Sequence, residues 1–231
     1  MMTILLCAWS ALVIFLCLVR MKFYWTRPQW QLLLYFAGAG VASTMPSLIC
    51  NLFLSEKTQF WAFDPDRFNS FMGFWIGAGM GEEFWKFACG LLVVVAIRRD
   101  LGDANRVLGF VIVGIMFGTI ENIVTYSGLN TQTLILRGFV SVPIHAAMGV
   151  IHGLAVNRAR RRCVAWPLFA GYILAAGLHT LCDTWSLFMP TSLIGVALIL
   201  SIATLTLGSA FAWRRIAEVP GLQRPRRRNV L

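Results

Sequence analysis

Two adjacent carboxylates and an ammonium one turn further on, Glu82, Glu83 and Lys86, lie inside a stretch, 68–97, that is otherwise without charge. A helix needs about 20 residues to cross a bilayer, so this stretch is long enough. A charge at bilayer depth costs roughly 2.5–3.5 kcal/mol on insertion scales. The chain has ten acidic residues and three histidines. Four of the acids (Glu82, Glu83, Glu121 and Asp183) and all three histidines (His145, His152 and His179) fall in apolar segments. Proton-transfer groups kept at that depth point to chemistry or ion movement inside a membrane.

Carboxylates that share a site of low dielectric do not all ionise; one keeps its proton while its neighbour stays charged. Such a pair activates a water and later protonates a leaving amine. Histidine and asparagine supply hydrogen bonds to a developing oxyanion, and Asn122 directly follows Glu121. Glu82 with Lys86, and His179 with Asp183, are i, i+4 pairs, each on one helix face. Glu83 should be turned by about 100° from Glu82 on an α-helix. Glu82, Glu121, His145 and His179 would also make a zinc-type ligand set. H-E-x-x-H is absent and these residues come from different helices, so no resident cofactor is expected, with zinc as the alternative.

The hydrophobic fraction is 58%, charged residues are 13% and the mean hydropathy is +0.71. A soluble domain carries about a quarter charged residues, so the chain reads as an all-α, polytopic transmembrane helix bundle. Apolar runs give about seven spans, near 3–19, 30–54, 68–97, 107–127, 134–156, 164–188 and 191–213. Within this one membrane domain, 1–67 is an anchoring two-helix region, 68–190 a core that carries the polar residues, and 191–231 a last helix with a basic tail.

The net charge of +10 comes from short basic clusters between the spans. These set topology and meet anionic lipid; they do not imply nucleic acid. Arg20, Lys22, Arg27, Arg98, Arg99, Arg106, Arg158, Arg160, Arg161 and Arg162 crowd alternate loops, which puts the N-terminus outside and the C-terminus in the cytoplasm. The first apolar run lacks a preceding positive region and reads as a retained anchor. The six cysteines are scattered, without C-x-x-C pairing, and receive no redox or metal role. Glycines at 73, 77 and 81, at 114 and 118, and at 149 and 153 have the spacing that lets helices approach closely in lipid.

In chain order, E-E-x-x-K at Glu82/Glu83/Lys86 is followed by F-x-x-x-E-N at Phe117/Glu121/Asn122. H-x-x-x-G follows at His145/Gly149 and H-x-x-x-D at His179/Asp183. Over roughly 70–190 this resembles the PrsW family of intramembrane proteases and, more distantly, the CAAX prenyl-protease group. The resemblance implies an intramembrane endopeptidase in a bacterial inner membrane. It further implies site-1-type cleavage of a single-pass, anti-sigma-factor-like substrate in a lipid environment. Carried over, Glu82 activates water with support from Glu83, and His179 binds the oxyanion with Asp183 orienting it. Arg137 matches an arginine that such sequences tend to have. Glu121 stands where the CAAX group has histidine, so a proton shared by Glu82 and Glu121 remains open.

Other readings compete. Intramembrane acids and histidines also build ion-coupled transporters, although no inverted repeat is visible here. A catalytically silent scaffold is the third class. His152, near the cytoplasmic arginines, reads as a packing residue, and a Glu82–Lys86 pair that only pins helices is the structural alternative for Glu82. Oligomeric state is not legible.

Overall fold

In hydrocarbon no water satisfies backbone groups, so a chain this apolar closes its hydrogen bonds within helices. The computed structural model describes residues 27–61, 64–97, 101–126 and 131–188, and no strand occurs among them. The expected spans 3–19 and 191–213 lie outside these residues.

The helices are α1 (Arg27–Thr58), α2 (Arg67–Phe74), a π-helical stretch (Trp75–Glu82), α3 (Glu83–Ala96), α4 (Gly102–Tyr126), α5 (Thr131–Arg162) and α6 (Trp166–Phe188). Pro28 and Pro167 are each the second residue of a helix, where the missing N–H has no intrahelical partner to lose. Asp66 caps α2 by accepting the Asn69 N–H at 2.9 Å. The chain then runs through α2, the π-helical stretch and α3 as one rod, because the intervening cap residues keep right-handed helical dihedrals. By length and composition, Gln31–Thr58 and Asn105–Thr125 suffice to cross a bilayer.

The helices overrun the expected apolar runs where basic residues follow. Arg158, Arg160, Arg161 and Arg162, expected in a loop, occupy the last turns of α5. Arginine is a good helix former, and positive charge favours a helix C-terminus. The turn comes only at Cys163, which has a φ of 53°. Arg106, also expected in a loop, is buried in α4. Its Nε donates to Asn157 Oδ1 at 2.6 Å and its guanidinium meets Asp103, which Arg161 also reaches. These bonds tie the start of α4 to the end of α5.

Glycines set how closely the helices cross. A Cβ on Gly114 would meet the His145 carbonyl, one on Gly149 the Phe110 carbonyl and one on Gly153 the Val107 backbone. This pairing makes α4 and α5 antiparallel neighbours. On the other side of α4, the Phe36 ring of α1 seats on Gly109, and Gly40 seats against Val113. Phe36, Phe110, Val113, Val94 and Val156 share one apolar cluster across α1, α3, α4 and α5. Lipid tails are as apolar as these side chains, so close van der Waals fit rather than water exclusion holds the contact.

The carbonyl facing Gly149 belongs to backbone and cannot rotate away. Gly149→Ala should therefore cost about 1–3 kcal/mol by overpacking. Thermal unfolding in detergent should show this as a lower midpoint. Gly38→Ala, with nothing among the described residues within 4 Å of the added carbon, should not lower the midpoint, since alanine is the better helix former.

Candidate active site

The sequence 75–82, Trp-Ile-Gly-Ala-Gly-Met-Gly-Glu, is rich in glycine and poor in helix propensity. It winds as a π-helix, with i→i+5 bonding that turns the chain less per residue than an α-helix does. Glu82 and Glu83 themselves keep right-handed α-helical dihedrals, and their i,i+4 and i,i+3 spacing to Lys86 lets both side chains reach it. Both carboxylates are buried and both meet the same ammonium. Lys86 Nζ lies 2.5 Å from Glu83 Oε1 and 3.6 Å from Glu82 Oε2. It also lies 2.9 Å from His145 Nδ1 and 4.3 Å from the centre of the Phe117 ring.

The other three helices close on this pair. From α6, His179 Nδ1 is 2.7 Å from Glu83 Oε1, while its Nε2 is 3.5 Å from Asp183 Oδ2 and 3.9 Å from Glu82 Oε2. From α5, His145 Nε2 is 3.0 Å from Glu121 Oε2 of α4. Both carboxylate-facing nitrogens act as donors, since ionised carboxylates only accept. The two imidazoles meet edge to face with centres 4.9 Å apart. Gly118 of α4 leaves the space that the His145 ring occupies. Glu82, Glu83, Lys86, Glu121, His145, His179 and Asp183 thus lie together in one cluster. Asn122 is buried next to Glu121 in α4. Arg137 lies in the second turn of α5, where the backbone alone is described.

Of the expected metal set, Glu82, His145 and His179 each bring one ligand atom within 4.8 Å of the others, all buried. Glu121 instead bonds the His145 ring. Two imidazoles and one carboxylate are the three-protein-ligand pattern of an open catalytic metal site. Two observations fit a cation here. Among the described residues, Glu82 Oε2 has no hydrogen-bond partner. The cluster also holds four carboxylates, Glu82, Glu83, Glu121 and Asp183, against one ammonium, Lys86, which pairs with Glu82 and Glu83. Glu83 on His179, and Glu121 on His145, are the carboxylate–histidine contacts that orient metal ligands elsewhere.

A family model described as PrsW family intramembrane metalloprotease matches residues 27–208. The chain belongs to this family. No curated protein and no solved structure matches it. As a PrsW-family member it is a membrane-embedded intramembrane peptidase, a hydrolase that acts on membrane proteins.

Sequence reasoning undervalued one residue of this PrsW-family site and missed two others. His152 does pack, with its ring 4.8 Å from Phe87 and 6.1 Å from Phe110, but its Nε2 also lies 3.5 Å from Glu83 Oε2. Its position seven residues after His145 put both on one face of α5 and was the available signal. Asn51 of α1 and Tyr172 of α6 were missed altogether. With its amide oriented to donate, Asn51 reaches the Gly77 carbonyl at 2.9 Å, and Tyr172 donates to the Met80 carbonyl at 2.9 Å. An amide inside an apolar span was the one clue to Asn51.

Removing one partner of a buried ion pair leaves an uncompensated charge, at a cost of about 3–5 kcal/mol. Lys86→Met should therefore sharply lower the unfolding midpoint in detergent. The double variant Lys86→Met/Glu83→Gln should recover part of that loss, because the carboxylate nearest the lost ammonium no longer carries an uncompensated charge.

Proposed function

We propose that this PrsW-family peptidase cleaves a peptide bond of a single-pass, membrane-anchored protein. The reading takes the substrate to be anti-sigma-factor-like and the cut to be of site-1 type, in a bacterial inner membrane. The chain would lie with its N-terminus outside, as one membrane domain whose core, 68–190, carries the chemistry. The observation behind this reading is the convergence of Glu82, His145 and His179 within 4.8 Å in a buried site. Family membership and the charge pattern of the loops support the rest.

In this reading Glu82 accepts a proton from the attacking water through the oxygen that has no hydrogen-bond partner. The water oxygen bonds to the carbonyl carbon, and the proton passes to the amide nitrogen as the C–N bond breaks. Glu83 fixes the His179 ring through Nδ1, so that Nε2 faces the reacting carbonyl beside Glu82. Glu121 fixes the His145 ring through Nε2. Lys86 offsets the charge of both neighbouring glutamates. Asp183, at the more open edge of the cluster, orients His179 from the far side.

Glu82, His179 and, once the Lys86 ammonium leaves its Nδ1, His145 would hold a divalent metal. Bound there, it supplies an acidified water and a Lewis acid for the carbonyl. A carboxylate has two oxygens, so one side chain serves both as ligand and as proton acceptor.

Glu82→Gln should lower cleavage of a single-pass substrate by at least about 10²-fold, while protein abundance stays the same. Wild-type rates in that variant would remove Glu82 from the mechanism. With purified protein in detergent, a chelator should abolish cleavage and added zinc should restore it. Cleavage that survives complete metal removal would leave Glu82 acting on water by itself.

A further inference from the structure

A π-helical turn holds one residue more than an α-helical turn, and its geometry is poorer, so it persists only where surrounding contacts fix it. Here two side chains from neighbouring helices bind its backbone. The Asn51 amide, on α1, bonds the Gly77 carbonyl at 2.9 Å and its own helix's Ser47 carbonyl at 3.2 Å. The Tyr172 hydroxyl, on α6, bonds the Met80 carbonyl at 2.9 Å, and that carbonyl also accepts the backbone N–H of Glu83. One shared carbonyl oxygen therefore separates the Tyr172 hydroxyl from the backbone N–H of Glu83.

The glycines admit these partners. A Cβ on Gly81 would run into the Asn51 amide, and one on Gly79 into the Thr180 hydroxyl and the Ala176 carbonyl of α6. Thr180 directly follows His179, so the same surface of α6 carries an imidazole of the site and the seat for the π-helical stretch.

Register is what these contacts decide. If 75–82 tightened to α-helical bonding, everything after it would turn by about 100°, one residue's rotation. Glu82, Glu83 and Lys86 would then swing together, and the glutamates would no longer face His145 and His179 from the neighbouring helices. We propose that Asn51 and Tyr172 are positioning residues for hydrolysis: by binding the Gly77 and Met80 carbonyls they lock the π-helical register that sends both glutamates into one site. Neither touches a reacting group. The role in turnover rests on the protease reading, whereas the lock itself does not.

The test uses full-length protein in detergent with Tyr172→Phe and, separately, Asn51→Ala. Hydrogen–deuterium exchange should rise about tenfold across 75–83 in each variant, relative to wild type, and stay unchanged across 87–96. Against a single-pass substrate, kcat should fall about tenfold with KM nearly constant, since substrate contacts are kept while Glu82 is misplaced. Unchanged exchange across 75–83 in both variants would overturn the lock. Raised exchange with wild-type kcat would overturn its role in turnover. If Glu82→Gln cleaves as well as wild type, the protease reading of the site falls, and the exchange data still decide the lock. Tyr172→Phe removes one oxygen, so it tests the idea even if Asn51→Ala fails to fold.

Discussion

The Lys86 ammonium sits between two glutamates and an imidazole, 2.5 Å from Glu83, 3.6 Å from Glu82 and 2.9 Å from His145. Burying ions costs several kcal/mol each even after relaxation, and only close pairing with well-placed hydrogen bonds offsets it. This requirement organises the bundle. The lysine reaches both carboxylates by i,i+3 and i,i+4 spacing on its own helix, and the π-helical stretch before them sets which way all three face. His145 must also come within reach of Glu121, so α5 must approach α4 closely, which calls for Gly114 and Gly118 beneath it. His179 must reach Glu83, so α6 must sit directly on the rod, which calls for Gly79.

Polar groups and glycines therefore serve one purpose in this PrsW-family fold. In lipid, apolar contact alone gives no strong preference for one helix arrangement over another. Hydrogen bonds that reach a unique partner across a glycine notch do select one. The same contacts that make the acids tolerable hold three potential ligand atoms within 4.8 Å. Stability and pre-organisation for chemistry have a common source here.

How far the site was legible follows from what its residues contact. Glu82, Glu83, Lys86, Glu121, His145 and His179 bind one another through side chains, and side chains are what a sequence displays. Charged and imidazole groups in apolar runs could be read as a cluster because nothing else would satisfy them. Asn51 and Tyr172 bind backbone carbonyls, at Gly77 and Met80, which look the same at every residue. The π-helical register was hidden for a related reason, since glycine-rich sequence weakens an α-helix without specifying its replacement. His152 packs on Phe87 and Phe110 as its place in an apolar run suggested, and only the fold shows that its Nε2 also lies 3.5 Å from Glu83.

The separations along the chain bear on biosynthesis. Glu83 and its partner His179 lie 96 positions apart, and Lys86 and His145 lie 59 apart. A chain emerging residue by residue commits the rod that holds Glu82 and Glu83 to the insertion machinery before either histidine has been made. During that interval Lys86, one turn away on the same helix, is the counter-ion at hand. The E-E-x-x-K spacing lets the nascent segment carry its own neutralising partner into the bilayer, and α5 and α6 complete the cluster on arrival. The lysine thus serves the newborn helix first and the finished enzyme afterwards.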